Sequence, residues 1–248
     1  FKDVTEFERL EQTRRDYVAN VSHELRTPLT AVRGLLEPLA DGMVKDEETR
    51  QRYYQIMLHE VLRLSRLITD LLQLSRLQSG TEYMEISAVD IGELLAEIHQ
   101  NYLREAEQRG IHLVLDADNL PYAMTDRDRI EQILVILIDN AMRYTPRDGT
   151  ITLSATAGEL IIVSVSDTGC GIAPEELPHL FERFYKVDKS RKEGGTGLGL
   201  SIAKQIIDKL GERIYVESTV GEGTSFHFTL KKYVSNAIAL GPSSSNVI

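Results

Sequence analysis

Apolar positions in the first eighty residues recur at alternating steps of four and three. One series consists of Leu25, Leu29, Val32, Leu36 and Leu39, and the other of Met57, Val61, Leu64, Ile68 and Leu71. This mean spacing of 3.5 residues is typical of a coiled-coil or helical-bundle seam. The polar segment 41–48 between the two series predicts a turn, so the two helices should form an antiparallel hairpin.

A two-helix hairpin cannot cover both of its own apolar seams. Pairing two hairpins into a four-helix bundle would cover them, which predicts a homodimer. Each helix should have about 30 residues and a length of about 45 Å. A coiled-coil spacer has the same periodicity and stays open as an alternative.

The rest of the chain combines helical and strand patterns. Helices are predicted at 90–109, 127–144 and 196–210, and strands rich in β-branched residues at 111–116, 151–156, 160–166, 213–218 and 225–230. This combination predicts an α/β sandwich with a mixed sheet, and therefore a two-domain chain with a boundary near Gly80. From residue 234 onward Ser, Asn, Gly and Pro predict a disordered tail.

Composition excludes several classes of function. The chain has 248 residues and a formal net charge of −10, which argues against a duplex nucleic-acid partner. The single cysteine, Cys170, excludes a disulfide framework and a cysteine-based zinc site. The longest apolar run, 133–138, is far shorter than the ~18–20 residues of a membrane span. The negative charge is uneven, since residues 1–80 have 12 basic and 13 acidic side chains and residues 81–248 have 16 and 25.

A carboxylate and a group of glycines follow the strand predicted at 160–166. Asp167 is succeeded by Gly169, Gly171 and Ile172. A carboxylate at a strand end, beside backbone that can approach closely, suits an exocyclic amine such as adenine N6. Asp-x-Gly-x-Gly is also ordinary turn chemistry, and that interpretation stays open.

A second glycine cluster, 194–199, opens the helix predicted at 196–210. Backbone N–H groups at a helix N-terminus favour an anion, although a flexible hinge would also use glycines. The long connection before it has basic residues at Arg183, Lys186, Lys189, Arg191 and Lys192, opposed only by Asp188. This basic segment is either a phosphate clamp or a solvated charge run. Asn140, on the helix at 127–144, could be a magnesium ligand if phosphates supply the other oxygens.

Five segments in order resemble the N, G1, F, G2 and G3 boxes of sensor histidine kinases: 140–144, 167–172, 181–185, 195–200 and 221–224. The resemblance implies the Bergerat ATP-binding fold with Mg-ATP as ligand. It implies that Asp167 binds adenine, that Asn140 binds Mg²⁺ and that 195–200 binds the phosphates. The implied nucleotide-binding set is Asn140, Arg143, Tyr144, Asp167, Gly169, Gly171, Ile172, Lys186, Arg191, Gly195, Thr196, Gly197, Leu198, Gly199, Leu200 and Thr224.

The segment 22–29 resembles the H box of the dimerisation and phosphotransfer domain of the same kinases. His23 precedes the apolar seam and should face solvent, where a neutral imidazole is a good nucleophile. Glu24 can accept the proton from its other ring nitrogen. Thr27 either bonds back to a backbone carbonyl or, as in bifunctional members, positions water to dephosphorylate the partner. The other histidines (His59, His99, His112, His179 and His227) are assigned to surface or packing roles.

One position departs from the resemblance. The N box of the family usually has an Asn one turn before the magnesium ligand, and the related ATPases have a Glu that activates water, but this chain has Ile136. A side chain without a proton acceptor disfavours efficient ATP hydrolysis and favours transfer to His23. The alternatives to a kinase are a nucleotide-binding dimeric scaffold and a Bergerat ATPase.

The expected organisation is a linker helix at 1–15 that resembles the junction after a PAS sensor domain, a dimerisation and phosphotransfer domain at 16–80, an ATP-binding catalytic domain at 81–233 and a disordered tail at 234–248. The resemblance implies a response regulator receiver domain as partner. It also implies a cytoplasmic, soluble fragment of a membrane-anchored sensor.

Overall fold

The computed structural model describes residues 2–79, 83–117, 119–187 and 195–234, with the side chains of residues 2–10, 13, 14, 16 and 17 left out. The helices are α1 (Lys2–Ala40), α2 (Glu47–Ser79), α3 (Ile91–Arg109), α4 (Arg127–Tyr144) and α5 (Gly199–Lys209). The strands are β1 (Ser87–Val89), β2 (His112–Asp116), β3 (Ala123–Thr125), β4 (Thr150–Ala157), β5 (Ile161–Asp167), β6 (Ile214–Thr219) and β7 (Gly223–Leu230).

The first two helices form the hairpin predicted by the two apolar series, and both are longer than expected. Helix α1 has 39 residues and continues through Pro28 and Pro38, and α2 has 33. Asp46 begins α2, because its carboxylate accepts a hydrogen bond from the Thr49 N–H at 2.7 Å. The helices contact each other along their length.

A single hairpin covers only half of each seam. In α1 the positions Leu25, Val32 and Leu39 are half-buried, whereas Leu29 and Leu36 are more than half exposed, at 55% and 52%. Helix α2 repeats the alternation, with Val61 and Ile68 exposed between half-buried neighbours. The hairpin therefore presents a regular row of uncovered apolar side chains.

The second domain is built on a five-stranded mixed sheet of order β2-β4-β5-β7-β6. Strands β2 and β4 are parallel, and the remaining pairs are antiparallel. Burial alternates along β4 and β5, so one face of the sheet is packed, and α3 and α4 contact it. The structure confirms the predicted fold class: an all-α hairpin followed by an α/β sandwich.

Helix α4 lies in the centre of this core, and local signals fix its ends. Asp126 caps the N-terminus by accepting from the Arg129 N–H at 3.2 Å, and Thr145 before Pro146 ends the helix. Its inner face is fully buried, and it consists mainly of Ile130, Ile133, Leu134, Leu137 and Ile138. The helix therefore holds its outer turns at a fixed position beside the glycine-rich segments.

Two details differ from the sequence-based expectation. Helix α5 begins at Gly199 rather than at Thr196, so residues 195–198 form a turn. The short antiparallel pair β1–β3 was not predicted. Gly80, Arg191 and the segment 235–248 lie outside the described residues, so the expectations for the domain boundary, the full basic segment and the tail stay as predictions.

The two domains contact each other through α2 and α5. Leu67, Leu74 and Leu77 of α2 are almost completely buried, and they belong to the same apolar cluster as the core of the second domain. No helix in the described part of the chain is long and apolar enough to cross a membrane.

Candidate functional site

Asp167 lies at the end of β5, in the middle of the sheet. Its Oδ1 accepts a hydrogen bond from the Gly169 N–H at 2.8 Å. Burial raises the pKa of Asp167, and the backbone N–H groups of Gly169 and Thr224 act in the opposite direction by stabilising the carboxylate. The result is a fixed, half-buried acceptor that can bind an exocyclic amine.

Sheet register brings the last of the glycine-rich segments to this carboxylate. Thr224, which is buried, is paired with Asp167 across the β5–β7 ladder. Gly223 has φ of +130°, and a Cβ there would overlap the Asp167 carbonyl oxygen. Ile172 is fixed on the same side by its N–H, which donates to Ser218 Oγ at 2.8 Å. The segments 167–172 and 221–224 thus form one pocket wall, although they are distant in sequence.

The last turns of α4 contact both glycine clusters. The carbonyl oxygen of Tyr144 lies against Gly169, and the guanidinium of Arg143 lies against Gly195. One turn earlier, Asn140 is half-buried, and among the described residues its side-chain amide has no hydrogen-bond partner. Ile136 lies against Gly199, at the first residue of α5. Helix α4 therefore connects the carboxylate end of the site with the glycine turn.

The turn 195–198 contacts Phe184, which lies near the start of the basic connection. The Phe184 N–H donates to the Gly197 carbonyl oxygen at 2.8 Å, and a Cβ on Gly197 would crowd the Phe184 backbone. Leu198 is completely buried and anchors the turn, and Gly199 and Leu200 begin α5. The two ends of the basic connection are thus held together.

Thr196 of this turn contacts the helical hairpin. Its hydroxyl donates to Asp70 Oδ2 of α2 at 2.8 Å, and Thr196 Oγ1 in turn accepts from the Leu198 N–H at 3.3 Å. Burial raises the pKa of Asp70, whereas the hydrogen bond from Thr196 lowers it. The single hydroxyl hydrogen of Thr196 is therefore already used within the protein.

Lys186, predicted to bind phosphate, also contacts the hairpin. Its ammonium lies 3.0 Å from Glu24 Oε2 on α1, and Arg63 Nη2 of α2 lies 3.4 Å from the same oxygen. A third contact joins the domains farther along α2, where the side-chain amide of Gln78 lies against the Arg183 guanidinium. Sequence reasoning missed Arg63 and Asp70, because no local pattern indicates which polar positions of α2 face α1 and which face the second domain.

His23 is exposed on α1, as predicted, one residue before Glu24. Thr27 lies one turn later, and its hydroxyl donates to the His23 carbonyl oxygen at 3.1 Å. This is the back-bonding geometry of a mid-helix threonine. Of the remaining histidines, His99 bonds the Leu113 carbonyl oxygen at 3.2 Å and His227 bonds Ser164 at 2.7 Å, in line with packing roles.

The site offers few protein ligands for a metal. Within the described residues no group of three or more His, Cys, Asp or Glu side chains could hold an ion. The amide oxygen of Asn140, which has no hydrogen-bond partner among the described residues, fits a Mg²⁺ ion that keeps water and takes its other ligands from phosphates. It does not fit a metal held by the protein alone.

Two family models match the chain, and together they cover the hairpin and the core of the second domain. The "His Kinase A (phospho-acceptor) domain" matches residues 13–80. The "Histidine kinase-, DNA gyrase B-, and HSP90-like ATPase" model matches residues 125–234. The pair defines the class: a phospho-acceptor hairpin joined to an ATPase-type domain.

Relatives in sequence and structure agree with this class. Sensor histidine kinase WalK of Bacillus subtilis (strain 168) is 40% identical over 243 residues, covering 92% of this chain and 38% of that protein. Histidine kinase ThkA in complex with response regulator protein TrrA has a TM-score of 0.74 at 28% identity, covering 92% of this chain and 66% of that chain. Full-length ShkA in complex with AMPPNP has a TM-score of 0.65 at 29% identity, covering 89% of this chain and 47% of that chain.

The chain therefore belongs to the sensor histidine kinases. It spans about two fifths of the length of the curated relatives it matches.

Proposed function

We propose that the chain is the catalytic core of a sensor histidine kinase that uses ATP to phosphorylate its own His23. The observation that carries the proposal is the 3.0 Å contact between Lys186, beside the glycine turn, and Glu24, next to His23. Lys186, which is predicted to contact phosphate, thus contacts the residue that directly follows the predicted phosphoacceptor His23. The proposed domains are those expected from the sequence, a phosphotransfer hairpin at 16–80 and an ATP-binding domain at 81–233.

In the proposed reaction, Asp167 accepts a hydrogen bond from the adenine amine, and the turn 195–200 with Arg143 binds the phosphates. Asn140 would hold Mg²⁺, which supplies charge neutralisation at the phosphates when bound. One ring nitrogen of His23 attacks the γ-phosphorus while Glu24 accepts the proton from the other nitrogen, and ADP leaves. The phosphoryl group then passes to an aspartate of a response regulator receiver domain.

The uncovered apolar row on the hairpin supports a homodimer. Leu29 and Leu36 on α1, with Val61 and Ile68 on α2, are spaced as the inward positions of a four-helix bundle. A second copy would bury these side chains. By analogy with the complex between ThkA and its response regulator, the outer surface of the bundle near His23 is the proposed docking site for the receiver domain.

Phosphatase activity on the regulator is the second candidate function, and it depends on Thr27. The Thr27 hydroxyl is directed to the His23 carbonyl oxygen, so a change of side-chain rotamer would be required before it could orient a water molecule. Membrane anchoring and a sensor domain are proposed for the whole protein on the resemblance to sensor histidine kinases, and the curated relatives are more than twice the length of this chain.

The decisive experiment compares wild-type protein with His23→Ala in labelled ATP and Mg²⁺. We expect acid-labile, base-stable label on the wild type and none on the variant. His59→Ala is the matched control, since His59 is an exposed histidine that also precedes a glutamate, and it should take up label like the wild type.

Other outcomes would favour the alternative functions. Equal labelling of the wild type and His23→Ala would overturn the kinase proposal. ATP binding without any labelling would favour a nucleotide-binding scaffold. Steady phosphate release that survives loss of His23 would favour a Bergerat-type ATPase.

A further inference from the structure

Glu24 is held by the hairpin itself as well as by the second domain. Arg63 of α2 is 39 residues away in sequence, and its Nη2 lies 3.4 Å from Glu24 Oε2. Both side chains are largely buried, with 18% of Arg63 and 21% of Glu24 exposed. This pair differs from the exposed ion pairs on the same helices, such as Arg33–Glu37 with 74% and 67% exposed. A sheltered charge pair is less screened by water and salt than an exposed one.

The contacts on Glu24 are confined to one of its two carboxylate oxygens. Arg63 and Lys186 both hydrogen-bond to Oε2, and no side chain in the described part of the chain forms a hydrogen bond to Oε1. A glutamate has three rotatable side-chain bonds, so an unrestrained carboxylate would sample many positions. Fixing Oε2 restricts these positions and leaves Oε1 available to accept a proton.

A further pair holds Arg63 itself. Its Nη1 lies 3.6 Å from Glu60 Oε2, one turn earlier on α2, and Glu60 is 17% exposed. The guanidinium therefore lies between two carboxylates within the hairpin. Lys186 belongs to the other domain, whereas Arg63 and Glu24 both belong to the hairpin, so their contact does not require the second domain.

We propose that Arg63 is a positioning residue for the reaction at His23: it holds Glu24 by Oε2 so that Oε1 can accept the imidazole proton. The proposal rests on the proposed kinase function. A proton acceptor is effective only within hydrogen-bond distance of the proton it removes. Loss of the guanidinium should therefore slow phosphorylation of His23 without weakening ATP binding, because Arg63 contacts neither the glycine turn nor Asp167.

The test measures initial rates of His23 labelling over a range of ATP concentrations in wild type, Arg63→Gln and Arg63→Lys. We expect Arg63→Gln to lower the maximal rate by about tenfold or more, with the KM for ATP unchanged. Arg63→Lys keeps a cation near Glu24 and should recover most of the rate. Arg33→Gln is the matched control, and it should behave like the wild type.

Two further measurements separate positioning from general damage to the fold. In the Glu24→Gln background, Arg63→Gln should cause no further loss, because the group that it positions is absent. Arg63→Gln protein labelled by longer incubation should pass its phosphoryl group to a receiver domain at the wild-type rate, because that step does not deprotonate His23.

Several outcomes would overturn the assignment. These are an unchanged maximal rate in Arg63→Gln, a loss that appears only in KM, or an equal loss in the Glu24→Gln background. A wild-type protein that takes up no label would instead contradict the proposed function itself, so the two failures can be distinguished.

Discussion

The two domains of the chain differ in how far they bury their apolar side chains. The ATPase-type domain encloses a continuous core, in which Ile133, Leu134 and Phe228 are completely buried within one chain. The hairpin leaves Leu29 and Leu36 more than half exposed. Since exposed apolar rows are costly in water, the row on the hairpin favours burial against a partner, whereas the second domain buries its apolar side chains within one chain. This difference suits the proposed function, because the part that would meet partners can change its packing while the proposed nucleotide site stays intact.

The largest expected effect tests the closed core. Phe228 lies on β7, the strand between β5 and β6, and its ring is fully buried. We expect Phe228→Ala to lower the free energy of unfolding of this domain by about 3–5 kcal/mol. Equilibrium urea unfolding followed by circular dichroism would measure the change. A loss below about 1 kcal/mol would mean that the site collapses around the missing ring and that the core is less rigid than described.

The next effect tests the open seam. Leu36→Asn places an amide in the exposed row of α1, far from His23, and we expect the dissociation constant of the dimer to rise at least tenfold, or about 1.4 kcal/mol. Sedimentation at several concentrations measures it. The control is Val220→Asn in the β6–β7 turn, which is 62% exposed and outside the hairpin. If both variants stay equally dimeric, the row on α1 is not the interface.

The smallest effect tests the junction between the two regions. The Thr196 hydroxyl donates to Asp70 at 2.8 Å and cannot donate at the same time to a phosphate oxygen. Asp70→Ala should therefore tighten ATP binding by about fivefold, or about 1 kcal/mol, which is the net contribution of a typical hydrogen bond. Calorimetric titration with ATP would measure this, with Glu48→Ala as a control at an exposed carboxylate of the same helix. Weaker binding in Asp70→Ala would show that the contact assists nucleotide binding.

Sequence reasoning succeeded where the signals are local. Helix α4 was predicted at its observed bounds because a Thr-Pro step marks its C-terminal end, and the structure adds a capping aspartate at its N-terminus. The long strands were found from β-branched runs, whereas β1 and β3 have three residues each, too few to show an alternation. Helix α5 was predicted to begin at Thr196, whose hydroxyl instead bonds to a distant helix.

Some features of the candidate site could likewise be predicted from the sequence and others could not. Glycine-rich segments and the Ser-His-Glu step are visible in the sequence, because backbone geometry and chemistry limit which residues can serve there. The partners of Glu24 are not visible, since Lys186 lies 162 residues away in sequence and its contact arises only when the two domains meet. In the sequence, Arg63 looks like any exposed arginine on a helix, and only its burial in the structure distinguishes it.

The hydrogen bond between Phe184 and Gly197 has a consequence for how the chain can vary in length. It joins the two ends of a twelve-residue connection, so this hydrogen bond offsets part of the entropy that is lost when the loop closes. The entropic cost of closing a loop grows only with the logarithm of its length, and doubling the length costs about 0.6 kcal/mol. Insertions between these anchor points should therefore cost little folding stability. The connection offers a site where a reporter peptide can be placed, or where natural variants can gain or lose residues, without rebuilding the domain.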